Sequence, residues 1–207
     1  MQTTLEVRWF LKGIPPAAVQ HWFKFECPGQ LLTPEGQTRK DLYAYGDLDE
    51  YLKEFTEFAP NLARDRLNLK FREGNLELKL RTEQFGIQTF AARGDRSIWS
   101  GRVEQWRKFN LQQLENAASL CERTDLNWIC VYKKRLQKSD RGVNSELTFV
   151  ETKGSAWWTI AFEMTQEDNI ELNFFREVVE QAALTYSGSK LLAEDSYGYA
   201  HWLDKFI

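Results

Sequence analysis

The stretch 67-LNLKFREGNLELKLRT-82 alternates apolar and charged side chains on both sides of a short turn sequence. Before the turn, Lys70 and Arg72 alternate with leucine and phenylalanine. After residues 73–75, three charged residues alternate with three leucines. Since successive side chains of a β-strand point to opposite faces, this stretch predicts a hairpin with one apolar face and one densely charged face. The charged face is turned either to water or towards an anionic ligand.

Similar alternation and turn signals continue along the chain. Further strands are predicted at 3–12, 37–46, 84–91, 97–109 and 127–137, with a second hairpin over 145–164 turned at Lys153-Gly154. Helices are predicted at 15–24, from Asp47, from Asn110, and at 168–186 and 189–205. About eight strands joined mostly in sequence, with four or five helices and no long linker, predict an α+β fold. We expect residues 1–207 to form a single domain.

Composition excludes several classes of protein. The chain has 207 residues, 43% of them hydrophobic, and a net charge of −3, so neither disorder nor a general affinity for nucleic acid is expected. Its three cysteines are widely spaced and form no zinc motif, which favours a reducing compartment. The first residues are too charged for a signal peptide, and no apolar run is long enough to span a membrane. We therefore expect a cytoplasmic protein that binds neither nucleic acid nor membranes.

If the alternation holds, most strands contribute charge to the same face of one sheet. The basic members of this set are Arg8, Lys70, Arg72, Lys79, Arg81, Arg102, Lys133 and Arg135. The acidic members are Glu6, Glu77, Glu104, Glu146 and Glu163. In an ordinary antiparallel sheet such a face is solvated. Here the amphipathic helices need an apolar sheet face to cover, which leaves the charged face inside a curved sheet, and about eight strands can close around one small ligand.

Charges in a closed interior are costly unless they are paired, hydrated or in contact with a ligand. Arginine and lysine among a few carboxylates suit a polyphosphate with a divalent cation, because arginine binds phosphate oxygens and carboxylates hold metal ions. No GxSxG, HExxH, Walker A or GxGxxG motif competes with this interpretation. The two histidines have no cysteine or aspartate at metal-ligand spacing, which favours structural roles for both.

The arrangement resembles the CYTH superfamily, the triphosphate tunnel metalloenzymes, which includes class IV adenylyl cyclases, thiamine triphosphatases and inorganic triphosphatases. The family motif ExExK corresponds here to Thr4, Glu6 and Arg8 in "TLEVR". The hairpin "LNLKFREGNLELKLR" looks like the basic middle hairpin of the family, and "VYKKR" looks like its later basic strand. "WWTIAFEM" looks like the strand that carries a metal-side glutamate, and "DSYGYAHWL" is similar to the closing helix.

The resemblance implies an eight-stranded, mostly antiparallel β tunnel with helices packed outside. It implies Mg²⁺ or Mn²⁺ held by Glu6, Glu104 and Glu163, with Glu6 and Glu163 serving catalysis. The basic residues would bind the phosphates during metal-dependent hydrolysis of a phosphoanhydride. Thr4 stands where the family has a metal-binding glutamate, which predicts weak or absent hydrolysis with phosphate binding retained.

Two alternatives remain open from the sequence. One is a non-catalytic protein that binds an organic phosphate in the same kind of tunnel. The other is a lipocalin-like ligand-binding barrel with its charged face outward, which would have an apolar interior.

Overall fold

The computed structural model describes residues 2–45, 66–90, 99–110, 127–166 and 171–206. The helix predicted from Asp47 lies outside the described residues, as does nearly all of the helix predicted from Asn110. No helix in the described ranges is both long enough and apolar enough to cross a membrane.

The described residues contain nine strands and three α-helices. The strands are β1 (Gln2–Lys12), β2 (Gln30–Leu31), β3 (Gln37–Tyr45), β4 (Leu67–Arg72), β5 (Asn75–Phe90), β6 (Trp99–Asn110), β7 (Asn127–Asp140), β8 (Val143–Thr152) and β9 (Ser155–Gln166). The helices are α1 (Ala17–Phe25), α2 (Leu172–Thr185) and α3 (Tyr199–Phe206), with a 3₁₀ turn at Ala193–Asp195.

Two boundaries differ from the sequence prediction. The strands predicted to end at residue 82 and to begin at residue 84 are one strand, β5, which changes register between Arg81 and Glu83 and again between Gln84 and Ile87. The last predicted helix is shorter than expected: α3 begins only at Tyr199. Residues 189–198 instead form an extended segment with one 3₁₀ turn.

Eight strands close into a ring. Their order is β7-β3-β4-β5-β6-β1-β9-β8, and β8 pairs back with β7, while β2 pairs with the end of β7 outside the ring. All pairings are antiparallel, so the predicted eight-stranded β tunnel is confirmed. Three hairpins turn at Glu73-Gly74, Arg141-Gly142 and Lys153-Gly154, where both residues have positive φ. This is the backbone of a type I′ turn, whose twist matches that of the flanking strands.

The main apolar core lies outside the ring. On β1, Leu5, Val7 and Trp9 are fully buried and belong to one cluster with aromatic residues of α1 and α2, among them Trp22 and Phe175. The helices therefore cover the apolar face of the sheet, and the charged face is left inside, as the alternation required.

A second apolar cluster fills one end of the ring. Phe10, Tyr43 and Val150 lie on the inner faces of their strands and pack against residues of α3. The Trp202 ring stacks on Phe10, with 4.7 Å between the ring centroids and 7° between the planes. α3 thus plugs this end, and the tunnel is a cup with an apolar floor.

Replacing Trp202 by alanine tests the plug. The fully buried indole of Trp202 supports the floor, so we expect Trp202→Ala to lower the free energy of unfolding by about 3–5 kcal/mol in urea denaturation. Phe25→Ala is the control, because Phe25 is 72% exposed and its loss is expected to change stability by only about 0.5 kcal/mol. Equal changes in the free energy of unfolding for the two substitutions would contradict the role given to Trp202 in closing this end of the barrel.

Candidate functional site

The interior of the cup is a charged cavity of about 210 Å³ to which all eight ring strands and α3 contribute. Its basic lining residues are Arg8, Arg39, Lys70, Arg72, Lys79, Lys108, Lys133 and Arg135. Its acidic lining residues are Glu6, Glu77, Glu146 and Glu163. Eight basic side chains line the cavity against four carboxylates, and Asp41, buried behind the wall, pairs with Lys133 and Arg39. Burial also lowers the pKa of Lys133, so the surplus is at most three positive charges. The lipocalin-like alternative required an apolar interior and is therefore wrong.

The structure brings most of the predicted site residues together. Those that line the cavity are Glu6, Arg8, Lys70, Arg72, Lys79, Lys133, Arg135 and Glu163. The other three, Arg81, Arg102 and Glu104, do not line it. The Arg81 guanidinium instead pairs with the Glu104 carboxylate at 2.8 Å, with both side chains deeply buried. Arg102 donates to the backbone carbonyls of Ala193 and Ser196 and so holds the segment that leads into α3.

Glu146 is one centre of the charge network. Its Oε1 accepts hydrogen bonds from Arg8 Nη1 at 3.0 Å and from the Thr148 hydroxyl at 2.7 Å. Its Oε2 accepts from Arg135 Nη1 at 3.0 Å. Burial by itself would raise the pKa of Glu146, but Arg8, Arg135 and Arg39 outweigh it and hold that pKa well below its usual range. Glu146 is therefore a permanent anion that fixes the guanidinium groups around it.

Glu77 is a second centre of the same kind. The Lys70 and Lys108 ammonium groups lie 2.8 and 2.9 Å from its carboxylate oxygens, and Arg72 Nη2 lies at 2.9 Å. Burial would raise the pKa of Glu77, yet these cations lower it to about 2. Three cations thus surround a single carboxylate, so this cluster carries surplus positive charge into the cavity.

Glu6 and Glu163 are direct cross-strand partners of β1 and β9. Glu6 Oε1 accepts from Arg8 Nε at 2.8 Å, and its Oε2 accepts from Lys79 Nζ at 2.9 Å. The same ammonium lies 3.5 Å from Glu163 Oε2. Burial would raise the pKa of Glu6, but Lys79 and Arg8 lower it to about 2. Both carboxylate oxygens of Glu6 are therefore already engaged by cations.

These donors do not fit the expected Mg²⁺ or Mn²⁺. Glu104, the third predicted ligand, is the cross-strand partner of Glu6 on β6, but its oxygens accept from Arg81 at 2.8 Å and from Trp106 Nε1 at 3.2 Å. Within the described ranges, no group of three or more His, Cys, Asp or Glu side chains is placed to hold a metal ion. Thr4, at the position of the missing glutamate, is buried and adds no carboxylate to this row.

At the floor of the cavity, Lys133 is held inside the fold. Its ammonium donates to Asp41 Oδ2 at 2.8 Å and to the Tyr43 hydroxyl, and lies 3.7 Å from the centroid of the Tyr199 ring. The Arg8 guanidinium lies 4.9 Å from the same ring. The sequence pattern placed Tyr43 on the same strand face as Arg39 and Asp41, whereas the role of Tyr199 follows only from the position of α3.

Some polar atoms of the cavity wall lack a hydrogen-bond partner within the described part of the chain. They are Arg135 Nε, Asn68 Oδ1 and the Tyr199 hydroxyl, together with Arg39 Nε and Glu77 Oε2, which keep ion-pair contacts with Asp41 and Lys70. A buried polar group without a hydrogen bond costs free energy, so these atoms add to the cost of the charged interior.

Comparison with known proteins finds likeness in structure only. No protein-family model matches the chain, and no curated protein matches it significantly. A conserved hypothetical protein from Pyrococcus furiosus is similar over 95% of this chain and 98% of its own, with 15% identity and a TM-score of 0.45. A putative adenylate cyclase from Bacillus halodurans is similar over 92% and 96%, with 14% identity and a TM-score of 0.40.

The RNA triphosphatase Pct1 of S. pombe is similar over 90% of this chain and 86% of its own, with 10% identity and a TM-score of 0.46. These identities and scores are low, so the fold assignment rests on strand order, ring closure and the charged interior. The ring of eight antiparallel strands around charged side chains is the tunnel architecture that the resemblance to the CYTH superfamily implied.

Because of these ion pairs, the free energy of unfolding of the protein depends on pH. Glu6 and Glu77 ordinarily have a pKa of 4.5 but a pKa of about 2 in the folded protein. Below pH 4.5 the unfolded chain binds protons that the folded chain does not, so the free energy of unfolding must fall between about pH 4.5 and pH 2. We expect Glu77→Gln to reduce this fall by roughly 2 kcal/mol, measured by urea denaturation at pH 7, 4 and 3.

Glu151→Gln is the matched control, because Glu151 is an exposed carboxylate on β8. This substitution is expected to leave the fall in the free energy of unfolding between pH 7 and pH 3 the same as in the unsubstituted protein. An acid dependence in Glu77→Gln equal to that of the control would contradict the role given to Glu77.

Proposed function

We propose that this protein binds a small phosphorylated anion, with inorganic tripolyphosphate as the simplest representative, in the cup. The observation that carries the proposal is the excess of basic over acidic side chains, after Asp41 is counted with the four lining carboxylates, in a cavity closed at one end. Arginine and lysine side chains held in a partly dehydrated cavity bind phosphate oxygens through charge-assisted hydrogen bonds. A bound polyanion would balance the positive charge that these carboxylates leave.

Cavity size supports a compact ligand. Pockets for drug-sized ligands usually have volumes of about 300–1,000 Å³. The cavity here has about 210 Å³, which suits a short phosphate chain or the phosphate part of a larger molecule. An organic phosphate would then place its phosphate groups in the cup and its organic part towards the end opposite α3.

The proposed role is binding without appreciable hydrolysis. Hydrolysis of a phosphoanhydride needs an attacking water held in line and groups that stabilise the developing charge, commonly a metal ion. With a pKa of about 2, Glu6 is a weak base, and its carboxylate is engaged by Arg8 and Lys79. The cationic side chains that suit phosphate binding remain, while the donors for a catalytic metal are occupied.

Binding is tested by calorimetry with tripolyphosphate at low salt in metal-free buffer. We expect binding that weakens as salt rises, because ions screen the attraction between charges. Arg72→Ala should weaken it by at least about tenfold, since a hydrogen bond to a charged group contributes about 1.5–3 kcal/mol. Glu77 keeps Lys70 and Lys108 in this variant, so the fold is expected to survive.

Arg141→Ala is the control for lost charge. Arg141 lies in the turn between β7 and β8, where it pairs with Glu177 of α2 outside the cavity. Its loss should leave tripolyphosphate affinity unchanged. No binding by the unsubstituted protein at low salt would overturn the proposal.

Phosphate release from tripolyphosphate, measured with and without Mg²⁺ or Mn²⁺, tests the absence of hydrolysis. We expect no release above that of a heat-denatured sample, because the carboxylates needed for a metal are in ion pairs. Robust metal-dependent release by the unsubstituted protein would contradict the non-catalytic role but leave phosphate binding intact.

A further inference from the structure

Lys79 occupies an unusual place in the charge network. It belongs to β5, which is separated from β1 by β6 and from β9 by both β6 and β1. Its side chain nevertheless reaches across the interior and places its ammonium 2.9 Å from Glu6 and 3.5 Å from Glu163. Because Glu6 and Glu163 are directly paired residues of neighbouring strands, the ammonium lies between two adjacent carboxylates.

We infer that the ammonium of Lys79 takes the place of a divalent cation between Glu6 and Glu163, so that this cup binds its anion without a metal. This inference deepens the proposed function and rests on it only for the identity of the anion. A divalent cation such as Mg²⁺ or Mn²⁺ binds through oxygen ligands, of which carboxylates are the strongest. Lys79 already engages one oxygen of each glutamate, and a metal ion would have to displace it.

The surroundings make that displacement unfavourable. The second oxygen of Glu6 is held by Arg8 at 2.8 Å, so a metal ion would lie close to a guanidinium. Arg cannot be deprotonated in proteins, so this repulsion could not be relieved by loss of a proton. Lys79 also stays charged: burial would lower the pKa of Lys79, but Glu163 and Glu6 raise it above its ordinary value.

Within the part of the chain that the structure describes, the neighbouring positions supply no replacement ligands. Glu104 is engaged by Arg81 and by the Trp106 indole, and Thr4 offers only a neutral hydroxyl. Glu163 is the more accessible of the two bridged glutamates, with 37% of its side chain exposed against 8% for Glu6. Only removal of the ammonium would therefore leave two neighbouring carboxylates available to a metal ion.

The test is a Mn²⁺ titration followed by electron paramagnetic resonance, without phosphate present. We expect no stoichiometric binding to the unsubstituted protein. Lys79→Met keeps the length of the side chain and removes its charge. It is expected to bind Mn²⁺ at least about tenfold more tightly than the control, because it frees one oxygen of Glu6 and one of Glu163 as ligands, while Arg8 still holds the other oxygen of Glu6. Glu6→Gln added to Lys79→Met should abolish this gain.

Lys108→Met is the matched control. Lys108 is the cross-strand partner of Lys79 and also lines the cavity, so its substitution removes the same charge from an adjacent position. Its carboxylate partner, Glu77, keeps Lys70 and Arg72, so no metal site should appear.

In the metal titration, either of two outcomes overturns the inference: stoichiometric Mn²⁺ binding by the unsubstituted protein, or equal Mn²⁺ affinities of folded Lys79→Met and Lys108→Met. Circular dichroism establishes which variants are folded, and the titration of the unsubstituted protein remains decisive if Lys79→Met does not fold. Tripolyphosphate binding that is lost after treatment with EDTA and restored by Mn²⁺ would also overturn it. Absence of tripolyphosphate binding under both conditions overturns the proposed function alone, because the metal titration uses no phosphate.

Discussion

The rest of the structure depends on one electrostatic constraint: a carboxylate inside a closed barrel must be neutralised by cations in contact with it. Apart from the pairs within β1 and within β3, the ion pairs described above inside the barrel join different strands. Glu146 of β8 is held by Arg8 of β1 and Arg135 of β7. Glu6 of β1 is bridged to Lys79 of β5 across the interior. The ion pairs therefore fix strand positions across the barrel as well as charge, and loss of any single partner leaves a buried charge uncompensated.

The same constraint prepares the cavity for an anion. A guanidinium or ammonium held by a carboxylate has already lost its rotational freedom, so little further ordering is needed when a ligand arrives. Glu77 illustrates this, because it holds Lys70 and Arg72 of β4 together with Lys108 of β6. One carboxylate thus fixes the positions of three cations, and the positive charge that it does not neutralise is directed into the cavity. In the proposed function, the glutamates hold the cations in place, and the cations bind the anion.

How far the sequence predicts this structure depends on the range of each interaction. Alternation in 67–82 and the residue-glycine turns are local signals, and they predicted the hairpins at Glu73-Gly74 and Lys153-Gly154 and the inner face correctly, whereas the hairpin at Arg141-Gly142 was not predicted. Arg102 and Glu104, which were predicted to line the cavity but do not, are placed by contacts between residues far apart in the sequence. Arg102 bonds to Ser196, 94 residues away, and the segment before α3 then covers the inner face of β6. A Cβ on Gly198 would lie 2.6 Å from Trp106 and 3.2 Å from Glu104, so this glycine permits the close approach that separates Glu104 from the cavity.

Thr4 and Lys79 are two parts of one charge balance. A row of carboxylates at positions 4 and 6 on β1, beside Glu163 on β9, would gather three negative charges, which a divalent cation would balance better than one ammonium. With threonine at position 4, two carboxylates remain in this row, and Lys79 and Arg8 are sufficient for Glu6. The departure from the ExExK pattern and the bridging lysine therefore support the same conclusion. A cup that neutralises its own acidic row can recognise a phosphate anion through its surplus of arginine and lysine alone.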